Sequence, residues 1–342
     1  MSRAIRIGLA IAAATVAVVA AGGAWVWWEL HTPREVTAEG GVIVDLPRGM
    51  DAGSMLGRLH DAGVVRNPRL IRAWLVLRGG GGDLKAGEYF FREPVTALEV
   101  LDKISRGEVL LHPVTLPEGF DLEETAARLA AEGFGEPADL LAAFRDPAGI
   151  RGIDPDAEDL EGYLFPDTYH LPRGETAERI ARTLVERFKE AIGPDYAAQA
   201  EAAGLTVREA VTLASMIEKE TAVPDERWRI SRVFHNRLES GMRLQCDPTV
   251  IYALEREGRE IGRLTYADLE FDSPWNTYVV YGLPPGPICS PGLDSLDAAV
   301  HPKEGDDLYF VASPEGGHRF SSNLQSHLEA VRQWRRHRHS LR

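Results

Sequence analysis

The sequence lacks any run of basic residues interleaved with aromatics. Acidic residues outnumber basic ones, 52 to 38, for a formal net charge of −14. Such a chain repels phosphate backbones, so no nucleic-acid partner is expected. Closely spaced His and Cys ligands are also missing. There are two cysteines in 342 residues, and neither His235 nor His318 has ligand-like neighbours. No metal and no cofactor are expected. The third absence is of charge between Ile7 and Trp28, a stretch of 22 residues.

That uncharged stretch is rich in Ala, Val and Ile. As a helix it spans about 33 Å, enough for a hydrocarbon core of about 30 Å. Arg3 and Arg6 precede it, and Glu29 and Glu35 follow. The positive flank stays in the cytoplasm, which puts the remainder outside the membrane. Trp25, Trp27 and Trp28 mark the outer end, where indole rings favour the interface. The run is long for a signal peptide core, and bulky Trp stands where small residues are cleaved. The expectation is an uncleaved single-pass anchor: cytoplasmic tail 1–6, transmembrane helix 7–28, polar stalk 29–40.

Val42-Ile-Val-Asp-Leu46 reads as a strand, and Pro47-Arg-Gly49 as a turn. Met55, Leu56 and Leu59 then stand at helical spacing before Gly63. The pattern returns 70 positions later. Val44, Leu46, Pro47, Gly49, Asp51, Arg58, Leu59 and Gly63 match Val114, Leu116, Pro117, Gly119, Asp121, Arg128, Leu129 and Gly133. The repeat is a duplicated module or two uses of one local solution, and the shared turn and stop residues favour a real structural correspondence. Asp51 and Asp121 read as helix caps, since each immediately precedes apolar periodicity. Gly79 to Gly82 reads as a flexible loop, and Lys85 to Phe91 as a strand. Further on, Leu308–Ala312 and His318–Phe320 read as a hairpin, with Asn323 or Ser322 capping a last helix.

Thr206-Val-Arg-Glu209 is a capping box opening a helix through Glu220. Val211, Ala214, Ile217 and Glu218 share one face of it, whereas Glu220 points about 200° away. A carboxyl against an apolar wall has a raised pKa, as a general acid requires. The residues alone favour the plainer role for Glu218, an ion pair with Arg227 or Arg237. Asp247-Pro248 likewise reads first as an N-cap with Pro at N1. Trp275-Asn-Thr-Tyr278 and Gly282-Leu-Pro-Pro-Gly-Pro287 supply aromatic faces and planar amides, which suit carbohydrate, or form an ordinary stiffened loop. Cys246 and Cys289 stand 43 positions apart. An oxidising exterior permits a disulfide between them.

Five segments carry a resemblance over nearly the whole chain: LEGYLFPDTY (160–169), LASMIEKET (213–221), VFHNRLESGMRLQCDPTVIYAL (233–254), WNTYVVYGLPPGPICSPG (275–292) and LYFVASPEGGHRFSSNLQSH (308–327). In this order they resemble the YceG/MltG-like family of endolytic murein transglycosylases. The resemblance implies an α+β fold: a LysM-like α/β module over 41–110, then a mixed helical and strand catalytic domain over 111–342. It places the catalytic acid on Glu218. The substrate contacts it suggests are Gln245, Asp247, Thr249, Tyr252, Asn276, Tyr278, Pro284 and Pro285. It implies peptidoglycan glycan strands as substrate, cell-wall polymerases as partners, and a lytic reaction leaving 1,6-anhydroMurNAc ends. A hydrolytic muramidase using Asp247, and a non-catalytic glycan-binding scaffold, are the competing readings. A two-carboxylate glycosidase needs a second acid at a set separation. No carboxylate near Glu218 in sequence is a clear partner.

Overall fold

The computed structural model describes residues 3–35, 40–79, 84–220, 223–259 and 261–340. Residues 36–39 of the expected stalk, residues 80–82 of the glycine loop and Thr221 lie outside them. The fold is mixed α+β, with short strands in two-stranded sheets. The chain divides into two compact units, residues 1–112 with 170–174, and residues 113–169 with 175–342.

The first unit begins with α1 (Arg3–His31), long and apolar enough to cross a membrane. Its side chains are exposed apart from half-buried Val26 and buried Glu29 and Leu30 at its end. Strand β1 (Val42–Leu46) is followed by α2 (Ala52–Asp61) and α3 (Pro68–Leu77). Strand β2 (Gly87–Phe91) pairs antiparallel with β1, Val44 opposite Tyr89, and α4 (Ala97–Arg106) closes the unit. Alternation sends Val44, Leu46, Tyr89 and Phe91 inward. They meet Met55, Leu56 and Leu59 of α2, Ile71 of α3, and Val100 and Ile104 of α4 in one apolar core.

The second unit contains the end of β3 (Leu111–Thr115), then α5 (Leu122–Ala131), α6 (Pro137–Phe144) and the start of β4 (Thr168–Pro172). Leu116 N donates to Asp167 O at 3.0 Å, and the Thr115 and Thr168 hydroxyls meet at 2.9 Å. Helices α7 (Ala177–Ile192), α8 (Tyr196–Ala202) and α9 (Val207–Glu220) follow, then α10 (Arg227–Glu239), α11 (Asp247–Arg256) and α12 (Leu293–Val300). The chain ends in hairpin β5 (Tyr309–Ala312) and β6 (His318–Ser321), and α13 (Leu324–Ser340). Asn323 accepts from Ser326 N and caps α13.

The 70-residue correspondence holds in atomic detail. Asp51 caps α2 through Gly53 N and Ser54 N, and Asp121 caps α5 through Glu124 N. Gly49, Gly63, Gly119 and Gly133 all have φ near +80°, which L side chains rarely adopt. Arg58 donates to Asp45 O, and Arg128 to Thr115 O, each bonding 13 residues back. One strand–turn–helix solution thus appears once in each unit.

Candidate active site

Helix α9 is the axis of the second unit. The Thr206–Glu209 capping box starts it, as the spacing requires. Every residue from Ala210 to Ile217 is buried, so α9 has protein on all sides. The segment from Pro285 to Gly292 runs along it in the same sense. Arg208 Nε donates to Pro285 O, Ile288 N to Ser215 Oγ, and Gly292 N to Glu218.

Glu218 is two residues from the end of α9, with its side chain 7% exposed. One carboxylate oxygen accepts from Gly292 N at 3.0 Å and Ser295 Oγ at 2.7 Å. The other accepts from Arg227 Nη2 at 3.3 Å. Arg227 also donates to Ser295 Oγ and lies 3.7 Å from Glu118. Glu118 is pushed up by burial and by the Glu218 charge. A Cβ at Gly292 would overlap the Glu118 carboxylate and push it aside. Glu218 therefore fastens the first turn of α12 to the end of α9.

Glu220, at the helix end, faces a different wall. The Cys246 thiol hydrogen-bonds to its carboxyl, and Asp247, His318 and Arg237 act on it electrostatically. Burial pushes its pKa up to about 7, with the Asp247 charge adding to the rise. Burial and Glu220 itself push the Cys246 thiol up, so sulfur stays protonated as a donor. Beyond it, Tyr278 donates to Asp247 Oδ1 at 2.6 Å. Asp247 is exposed, as is Gln245, whose φ of 52° stands alone among the described non-glycine residues. Such strained backbone is sustained by surrounding structure and gathers at functional sites. Here Gln245 N is held by Thr277 O at 3.1 Å.

Arg237 and His318 complete the wall. Arg237 is buried, donating to Leu308 O and Leu244 O. Glu226 accepts from the His318 backbone N at 2.8 Å and contacts its Nδ1 at 2.7 Å. Phe310 meets the His318 ring edge-on. The site thus pairs a carboxyl poised to hold a proton at neutral pH with an exposed, hydrogen-bonded carboxylate.

A family model described as YceG-like family matches residues 44–333. The chain belongs to the YceG-like family. Within reach of this family it is similar to the endolytic murein transglycosylase of Bacillus subtilis strain 168. The two are 31% identical over 326 residues, covering 90% of this chain and 89% of that protein. The endolytic murein transglycosylase of Streptococcus pneumoniae strain D39 is 31% identical over 324 residues, covering 86% of this chain and 58% of the relative. A crystallised YceG-like protein from Listeria monocytogenes is 32% identical with a TM-score of 0.58. That match covers 85% of this chain and 99% of the other.

The expected site residues separate into groups. Asp247 and Tyr278 act on or near Glu220, and Gln245 stands exposed two positions before Asp247. Thr249 and Asn276 are fully buried, which removes them from sugar contact. Thr249 Oγ1 bonds Cys246 O and the Thr277 hydroxyl. Asn276 spends its amide on Leu269 O, Phe271 O and Tyr278 N. Both residues brace the loops that carry Asp247 and Tyr278. Tyr252 is buried too, with its hydroxyl on Glu161. Pro284 and Pro285 lie near the opposite end of α9, beside Arg208, about 18 Å from Glu220 at 1.5 Å per residue.

Two expectations are corrected. Cys246 and Cys289 are free, buried thiols; one bonds Glu220 and the other Ser215 O. Asp247 is not the cap of α11: Cys246 occupies that position, and the Asp247 carboxylate serves Tyr278. The expected acid, Glu218, has the arginine partner the residues alone suggested. Its three donors take three of the about four acceptor positions of a carboxylate and hold it to the surrounding helices. Glu220 escaped notice because helical periodicity finds the face toward one wall, and α9 has walls all round.

Proposed function

We propose that this chain is an endolytic lytic transglycosylase of peptidoglycan with Glu220, in place of Glu218, as its acid and base. The observation that carries the reading is the Glu220 carboxyl, hydrogen-bonded by the Cys246 thiol beside Asp247 and pushed up to about 7 by burial. The relatives' shared name supports the substrate. Protonated Glu220 gives its proton to the glycosidic oxygen between MurNAc and GlcNAc as that bond breaks. The resulting carboxylate then takes the proton of the MurNAc 6-hydroxyl, and O6 closes on C1. The product is a 1,6-anhydroMurNAc end, and no water is consumed. One carboxyl suffices because the substrate brings its own nucleophile. Negative charge on Asp247 favours the cationic character that develops at C1. Its hydrogen bond to Tyr278 fixes its direction.

Helix α1 serves as a single-pass anchor in the cytoplasmic membrane, N-terminus inside, with the chain that follows it outside. Its length, apolarity and flanking charges support this. The β1–α2–α3–β2 arrangement supports a LysM-like role for residues 41–110 in holding glycan. An enzyme so anchored acts on nascent strands beside the cell-wall polymerases.

Digestion of purified sacculi, with mass analysis of the fragments, tests the reaction. Lytic products weigh one water less than hydrolytic ones. Hydrolytic ends would transfer the chemistry to a water activated by Asp247. No release at all would leave a glycan-binding scaffold.

A further inference from the structure

A cavity lies in the same unit, away from Glu220. It has a volume of about 390 Å³ and forms between the start of α5, the 158–161 turn and the far end of α11. Asp121, Glu123, Glu158, Asp159 and Glu255 line it, against only two guanidinium groups, Arg145 and Arg256. Arg256 is already engaged, bonded to the Tyr252 hydroxyl and stacked over Trp275. Like-charge crowding shows at Glu255, pushed up by burial and then by Asp121.

Glu161 sets this cavity apart from an ordinary acidic surface. It lines the cavity yet is only 5% exposed. One of its oxygens accepts from Tyr252 Oη at 3.1 Å and Leu122 N at 3.4 Å. The other oxygen is buried with no hydrogen-bond partner. A buried unpaired carboxyl oxygen is costly, and a site built to receive a donor explains its retention. The adjoining hollow shares Glu161, Tyr252 and Arg256 and adds Trp275, whose indole Nε1 is also unpaired.

We infer that this cavity binds the side-chain ammonium of the diamino acid in a peptidoglycan stem peptide, and so makes the enzyme read the peptide on the strand it cuts. The inference rests on the proposed glycan substrate. An ammonium supplies three donors and a positive charge to a cavity rich in acceptors and negative charge. The distance is suitable. Glu255 is eight residues along α11 from Asp247, about 12 Å at 1.5 Å per residue. A peptide extending about 3.3 Å per residue crosses that in about four residues, the reach of a stem peptide with its long side chain.

The test uses the full chain in detergent and two probes, the tripeptide L-Ala-γ-D-Glu-L-Lys and its Nε-acetyl form. Calorimetric titration should show the free amine binding at least about tenfold more tightly, the loss expected for one charged hydrogen-bonded contact. Glu255→Gln should weaken the free-amine peptide, while Glu220→Gln should bind it as the parent does and fail to digest sacculi. Equal binding of the two peptides, or undiminished binding by Glu255→Gln with its parental melting temperature, overturns the inference. Magnesium ion alone competing fully with the peptide at equal concentration also overturns it, since the cavity would then be a simple cation site. If the parent binds the tripeptide selectively but releases no anhydro ends, the catalytic reading fails and this one stands. If anhydro ends appear and acetylation makes no difference, only this inference fails.

Discussion

Glu220→Gln separates the two glutamates at the end of α9. The amide keeps the shape of the carboxyl and removes its proton. Glu220 stands at about 7 in the fold against 4.5 for an ordinary glutamate. At 1.36 kcal/mol per pKa unit this corresponds to up to about 3 kcal/mol. Below pH 4.5 both folded and unfolded chains hold the proton, and the carboxyl carries no penalty. Between 4.5 and 7 the folded chain holds it while the unfolded chain releases it, so stability falls as pH rises. Above 7 the penalty is complete. Glu220→Gln has no such titration. It should match the parent near pH 4.5 and exceed it by up to about 3 kcal/mol at pH 8. Its rate on sacculi should fall by about 10²–10⁴, the contribution of a positioned general acid. Glu218→Gln should behave oppositely. It removes the nearest opposite charge from the Arg227 guanidinium, 9% exposed, which keeps Glu118 at 3.7 Å, so the cost stays below the about 3–5 kcal/mol of a fully broken buried pair. Urea unfolding at the two pH values, beside mass analysis of the digests, reads all of this. Parental activity in Glu220→Gln refutes the assignment, most sharply if Glu218→Gln stays folded and inactive.

The rate of anhydro-end release should decline above about pH 7, because the first step needs protonated Glu220; a profile still rising at pH 9 contradicts it. Both cysteines should be found as thiols by intact mass with and without reductant, and should resist alkylation until denaturant is added, since both are buried. Gln245→Gly should raise the thermal midpoint, by relief of about 1 kcal/mol of left-handed backbone strain. The same variant should lower activity through loss of the exposed amide beside Asp247. Gly292→Ala should swing the half-exposed Glu118 carboxylate away from Arg227, visible as no more than a small fall in the urea midpoint.

Local pattern carried much of the fold. Strand alternation, the Pro-x-Gly turns and the Asp caps of both 70-residue copies depend on neighbours a few positions away. So do the Thr206 capping box, the terminal hairpin and the Asn323 cap. The site was only partly legible. The segments around it stood out, but their residues divide by burial, which sequence does not display. Asn276 and Thr249 have the chemistry of sugar contacts and are spent on bracing loops. Tyr252 belongs to another cavity. Arg237 and His318 reach Glu220 from α10 and the β5–β6 hairpin, and no spacing rule joins elements so far apart in the chain.

By itself the sequence determined the apolar N-terminal helix, because length and lack of charge are properties of a contiguous run. It determined the repeated strand–turn–helix and the family as well. Which glutamate of Glu218-Lys-Glu220 can hold and release a proton was decided only in three dimensions. Two residues along a helix turn a side chain by about 200°. One carboxyl is thereby carried to Arg227, Ser295 and Gly292, and the other to Cys246, Asp247 and His318. Protonation follows from those surroundings, and the surroundings come from distant parts of the chain.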